Sequence, residues 1–275
     1  MLKRVVVFII LFFIFHGTGF CASPEKTFAL IVRGEFEERF ENDEILAFNT
    51  LLSLGIPQSH IYVVSPFFIS KKRSDYNNDG VKDVNYPVSL ENVEKAIQEI
   101  GKNIPPDGQF LIYLCSHGSR SGFLGLSGKD SYIVLNTGTR LNQFPEYLYG
   151  EDLDKFVSHN ISSEVEVVLI VQACRSGGFS NTFLKPNRIV ITAAAINNSS
   201  HGCYIDNKQW SRFSYSFFKA LQENLRNFLE MYETAKTNGN NIPPSTLEEI
   251  TFGYQDTPEI HFGSENMKHS TLGDS

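Results

Sequence analysis

Cysteine is scarce: four are spread over 275 residues, and their spacings fit no zinc site. Basic runs interleaved with aromatics are missing too. The net charge is −7 and the pI near 5.5, so nucleic acid is excluded as an expected partner. No internal repeat is visible, and nothing marks a second domain boundary. What is there is ordinary for a globular protein: 41% hydrophobic and 20% charged residues. That is enough for one large core. Phenylalanine, at 23 residues, suggests that this core is well filled.

The N-terminus reads as a targeting segment. Lys3 and Arg4 precede an unbroken apolar stretch, Val5 to Phe15. His16-Gly17-Thr18-Gly19 break it, and small residues follow at Ala22 and Ser23. A positive end, a short apolar middle and a small-residue exit describe a secretory signal, assigned here to residues 1–22. The apolar part is too short for a transmembrane span, so none is expected in the mature chain. Export to a periplasm or the extracellular space follows. Lipid anchoring at Cys21 is disfavoured because bulky Phe20 precedes it. Cys115, Cys174 and Cys203 then remain. An odd number in an exported protein means at least one free thiol or an intermolecular bridge.

Two strand ends carry the functional argument. Val165 to Val171 is a run of β-branched and apolar residues, the pattern of a strand buried on both faces. It stops at Gln172-Ala173-Cys174, and Arg175-Ser176-Gly177-Gly178 breaks the pattern. Earlier, Phe110 to Cys115 is a second such run, ending in Ser116-His117-Gly118-Ser119. If these strands are parallel neighbours, His117 and Cys174 emerge at the same edge, where open parallel sheets bind ligands. A thiol and an imidazole within reach of each other make a nucleophile and its acid/base partner. Cys115, inside a buried run, is expected to be a small core residue.

The rest of the chain alternates strand and helix. Thr27–Val32 and Ile61–Val64 read as strands flanking a helix that ends at Leu54. Ser89 looks like the N-cap of the next helix. Gly122–Leu126 and Tyr132–Leu135 read as a hairpin, and Glu151–His159 as a helix. Arg188–Thr192 is a strand, and Trp210 to about Lys236 one long helix followed by an Asn238–Pro244 loop. From Glu265 the tail looks polar and loose. Asp75, Asn77, Asp79 and Asp83 offer oxygens around Gly80, beginning like an EF-hand loop but without its closing glutamate. They are the candidate ligands of a structural calcium ion; the alternative is a polar turn. No cofactor is expected for catalysis.

These residues resemble the caspase-like (clan CD) cysteine peptidases, and within them the legumain family and its bacterial caspase-like members. LIYLCSHGS at Leu111–Ser119 and VVLIVQACRSGGF at Val167–Phe179 carry the resemblance. RIVITAAA, SSHGCY, FSYSFF and QDTPEI support it. It implies a three-layer α/β caspase-like fold over residues 27–262, with a six-stranded, mostly parallel sheet flanked by helices, leaving 263–275 as the tail. It implies a peptide or protein substrate, a monomer, and hydrolysis through a thioester acyl-enzyme. By position Cys174 is the nucleophile and His117 the acid/base, with the backbone N–H groups of Gly118 and Cys174 as the oxyanion hole. An acidic residue precedes the histidine in legumains; here it is Ser116. For the specificity pocket, the resemblance implies Arg39 as an anchor, Gln172 where legumains have glutamate, and Ser199 or Ser200 as wall. Arg212 lies near a position that is acidic in the family. With two acids lost, an acidic or other polar P1 residue is expected, with Arg39 and Arg212 as its anchors. A transamidase on the same thioester chemistry and a non-catalytic binding module remain as alternatives.

Overall fold

The computed structural model describes residues 21–66, 74–120, 131–137, 145–223, 225–242 and 256–272. The expected signal core and the Gly122–Leu126 half of the expected hairpin lie outside these residues. In chain order the first elements are β1 (Cys21–Ala22), β2 (Thr27–Arg33), α1 (Glu38–Ser53), β3 (Ile61–Ser65), β4 (Tyr86–Pro87) and α2 (Leu90–Asn103). Then come β5 (Gln109–Cys115), β6 (Gly118–Arg120), β7 (Ser131–Leu135), β8 (Glu146–Tyr149), α3 (Gly150–Asn160) and β9 (Glu166–Gln172). They are followed by α4 (Phe179–Phe183), β10 (Arg188–Thr192), β11 (Gly202–Ile205), β12 (Lys208–Ser211) and α5 (Arg212–Gln222). The chain closes with α6 (Phe228–Asn241), β13 (Glu259–Phe262) and β14 (Thr271–Leu272).

The main sheet has seven strands in the order β13-β10-β9-β5-β2-β3-β4. All pairs are parallel except β10 with β13. The expected six strands become seven through the two-residue β4. β2, β5 and β9 are buried along their whole length. Alternate residues therefore face two different cores. Ile31, Tyr113 and Ile170 join Phe48 of α1, Phe217 of α5 and Met231 of α6 on one side. Leu30, Ile112 and Leu169 join Ile97 of α2, Val157 of α3 and Phe183 of α4 on the other. Helices on both faces of a mostly parallel sheet make the three-layer α/β arrangement.

Three expectations need correction. Residues 210–236 are not one helix: Trp210 belongs to β12, which pairs with β11 as a hairpin. Asp206 and Asn207 turn that hairpin, both with positive φ (51° and 60°), as a two-residue primed turn demands. The helical part is then broken between α5 and α6. There Asn227 caps α6 by accepting from the N–H groups of Leu229 (3.0 Å) and Glu230 (3.1 Å). α6 runs on to Asn241, into the stretch expected to be loop. The tail is not loose either. Glu265–His269 forms a 3-10 turn, and β14 pairs parallel with β1, burying Leu272. Its polar look is explained by Ser270, which is buried and donates to Glu166 at 2.6 Å.

Candidate active site

β5 and β9 pair in register from Gln109↔Glu166 to Cys115↔Gln172. The Ser116 N–H extends this pairing by donating to the Gln172 carbonyl at 3.2 Å. His117 and Cys174 each lie two residues beyond the last paired positions, so they emerge from adjacent strands at the same C-terminal edge. Gly118 shows how close the two loops come. A Cβ there would stand 2.8 Å from the Cys174 carbonyl oxygen, 2.8 Å from Ala173 Cβ and 2.9 Å from the Tyr132 oxygen. Two of those neighbours are backbone and cannot give way, so only glycine permits this approach.

The thiol loop is pinned from several directions. Arg175, directly after Cys174, sits in the left-handed region at φ 58°, an uncommon conformation for a residue with a side chain. Its N–H donates to the Asn198 carbonyl at 2.7 Å, and its own carbonyl accepts from Ser131 Oγ. Cys174 Sγ is partly exposed and accepts from the Ser200 N–H at 3.4 Å. Cys115 and Cys203 are buried. Burial pushes the Cys115 thiol well up, so it stays protonated and inert, as expected for a core residue.

His117 is exposed, with its ring set edge-on against Phe40 at 5.4 Å. Its Nε2 meets the Glu37 carboxylate, and its Nδ1 lies 3.5 Å from Arg39 Nη2. A guanidinium can only donate and an ionised carboxylate can only accept. The neutral imidazole that satisfies both therefore carries its proton on Nε2 and leaves Nδ1 as the basic nitrogen. Arg39 Nε also binds Glu37, at 2.8 Å. Burial alone would raise the Glu37 carboxyl, but the hydrogen bond from His117 and the Arg39 charge outweigh it and hold it below the ordinary value. Sequence reading missed Glu37. Its signal was an acid two residues before Arg39, in the stretch that follows the first long strand.

The expected pocket residues divide. Gln172 is buried; its Nε2 donates to Ser200 Oγ and its Oε1 accepts from Ser214 Oγ at 3.1 Å. Tyr113 donates to Ser214 in turn, at 2.7 Å. This chain of neutral groups runs under the thiol, so Gln172 and Ser200 are brought to the site while Ser199 is exposed beside it. Arg39 reaches the site but is already ion-paired with Glu37. Arg212 is only 2% exposed and lies against Gly239 of α6, 3.7 Å from where a Cβ there would be. Arg212 opens α5 and is buried, unlike the open position expected of a substrate anchor. Asp43, one helical turn after Arg39, is buried and accepts from the Ser211 N–H at 3.1 Å. Burial raises its carboxyl to about 7.

The calcium candidates bond to backbone N–H groups of their own turn. Asp75 and Asn77 accept from the Asp79 N–H (3.1 Å each), Asp75 from the Gly80 N–H (3.0 Å), and Asp79 from the Val81 N–H (2.7 Å). Asp83 turns inward to the Tyr76 N–H (2.6 Å) and Gln58 (2.8 Å). Among the described residues no three His, Cys, Asp or Glu side chains stand where they would share a metal ion. The oxygens of Asp75, Asn77 and Asp79 serve the backbone of a polar turn.

A partly exposed thiol and an imidazole thus share the C-terminal edge of a mostly parallel sheet layered between helices. Among solved structures, the chain is similar to caspase-1 from Spodoptera frugiperda, with a TM-score of 0.58 and 13% identity, covering 91% of this chain and 90% of that one. No curated protein matches it in sequence. The model of the Peptidase C13 family matches residues 69–258, and the chain belongs to that family, the legumain family of clan CD. Membership implies peptide or protein substrates. No helix among the described residues is long and apolar enough to cross a membrane.

Proposed function

We propose that the chain is an exported cysteine endopeptidase in which Cys174 attacks the scissile carbonyl. His117 serves as base and acid, and Glu37 orients the imidazole through Nε2. The thiol proton passes to the imidazole, the sulfur bonds to the carbonyl carbon, and the tetrahedral oxyanion collapses as His117 protonates the leaving amine. Water then resolves the thioester. The backbone N–H groups of Gly118 and Cys174 are assigned to the oxyanion. The observation that carries this reading is the glycine contact. Only a loop without a side chain at 118 approaches the Cys174 backbone this closely, which supports His117 and Cys174 as partners.

The pocket supports a neutral or acidic P1 side chain rather than a basic one. Gln172 and Ser200 supply uncharged donors and acceptors, and Arg39 supplies a cation. Labelling with a panel of peptidyl electrophiles tests the whole reading. Wild type and Cys115→Ala are expected to be labelled. Cys174→Ala is expected not to be, and His117→Ala to be labelled at least about 10²-fold more slowly. Equal labelling of Cys174→Ala and wild type would sink the assignment of the nucleophile. A product joined to an added amine, in place of the free acid, would instead identify a transamidase on the same residues.

A further inference from the structure

β6, β7 and β8 form a separate three-stranded sheet. It begins at Gly118, directly after His117, and rests on both catalytic loops. The Tyr132 oxygen closes on Gly118, and Ser131 Oγ donates to the Arg175 carbonyl. One face of it is buried through Ile133, Leu135 and Leu148. The pleat sends their neighbours to the opposite face. There the register sets Ser119 against Tyr132, Tyr132 against Tyr149, and Val134 against Tyr147. Tyr132 is in ring contact with Tyr147 (4.9 Å) and with Tyr149 (5.2 Å). Tyr147 is 40% exposed, one of the few large apolar side chains so open among the described residues. Three tyrosines thus present a continuous aromatic surface that starts beside Ser119, two residues from His117.

We propose that this surface is the subsite for the part of the substrate beyond the scissile bond, and that it selects an aromatic or large aliphatic residue there. The inference rests on the peptidase reading and adds to it a substrate class. The direction follows from the chemistry. His117 gives its proton to the leaving amine, so that amine lies on the His117 side of Cys174. The chain attached to it continues away from the thiol, over the strand that continues from His117. The other side is occupied by Gln172 and Ser200, which belong to the residue before the scissile bond. Tyrosine rings supply broad apolar faces at low entropic cost and keep their hydroxyls in water, so they favour extended side chains lying flat.

The test uses full-length enzyme and peptides identical up to the scissile bond, differing only in carrying Gly, Leu or Phe in the two positions after it. A fluorogenic amide with no residue after the scissile bond is the control. Wild type is expected to prefer Phe or Leu over Gly by about 10-fold in kcat/KM. In Tyr147→Ala and Tyr132→Ala that preference falls to about twofold or less, chiefly through KM. The control amide and iodoacetamide labelling of Cys174 stay at wild-type rates. Tyr147→Phe keeps the preference, because the ring rather than the hydroxyl makes the surface. Enzyme that is labelled and cleaves but shows no preference after the scissile bond overturns the subsite and leaves the peptidase reading standing. A variant that keeps the full preference overturns it equally. Wild type that is neither labelled nor active overturns the peptidase reading and the subsite with it.

Discussion

Glu37 meets His117 from 80 residues away in the chain, and most of what the site needs at the scale of single residues turns on that pair. Glu37→Gln keeps a carbonyl to accept from Nε2–H but removes the charge that stabilises an imidazolium. We expect kcat to fall about 10²-fold with KM little changed. Because the carboxyl is held below its ordinary value, the contact is complete above that ordinary value and is lost as pH falls through the depressed one. The variant has no carboxyl to protonate, so the acid-side fall that Glu37 gives wild type should be missing from its kcat profile, and steady-state rates from pH 3 to 8 check it. Gly118→Ala is the steric counterpart. With Cβ at 2.8 Å from a carbonyl oxygen, the two loops must separate, and activity should fall at least about 10²-fold while circular dichroism stays native. His117 and Cys174 were legible in the sequence because a polar residue ending a long apolar run stands out. Glu37 was not, because the residues just ahead of α1 have no periodicity and its partner is distant in the chain.

Among the elements, the long strands announced themselves as unbroken apolar runs, the mark of a sheet buried on both faces. What escaped was punctuation. The apolar rhythm of α5 carries through into α6, and nothing but Asn227 signals the break between them. Asp206-Asn207 turns the β11–β12 hairpin without the glycine that usually advertises such a turn. Helix α1 hid a different feature, because its acid-rich start reads as a solvated face and yet Glu44 is fully buried. It pairs with the equally buried Arg33 at 2.6 Å and accepts from Ser65 at 3.1 Å. Removing one member of such a pair strands the other charge. Glu44→Ala should lose about 3–5 kcal/mol, read as a lowered urea midpoint. In the Asp75–Asp83 turn the ligand-like oxygens bond to backbone N–H groups. Calcium or EDTA should leave Tm unmoved; a calcium-dependent rise would show that binding stabilises the native chain and would restore the ion.

For the whole molecule, the C-terminal segment ties together parts that the sheet alone leaves separate. β14 pairs with β1, the Leu272 N–H donates to the Arg226 carbonyl at 3.0 Å between α5 and α6, and Gln109 Nε2 reaches the Thr271 carbonyl at 2.9 Å. At the centre is Glu166, the first residue of β9, whose two oxygens accept from Gln109 (2.6 Å) and Ser270 (2.6 Å). Burial dominates those bonds and raises its carboxyl from 4.5 to about 7. The native state therefore binds this proton more tightly than the unfolded chain does. Its contribution is fully present below the unfolded value and is lost as pH rises through the folded one. Stability should decline between about pH 4.5 and 7, by an amount on the order of 3 kcal/mol from this residue. Asp43, also raised to about 7 by burial, pulls in the same direction, so the slope of wild type alone does not isolate Glu166. The difference from Glu166→Gln does, because Asp43 is common to both proteins. Chemical denaturation at pH 5 and pH 8 should show the variant gaining on wild type as pH rises. Parallel curves would mean that Glu166 unfolds in the same protonation state it holds when folded. The tail would then be held by packing and backbone pairing alone.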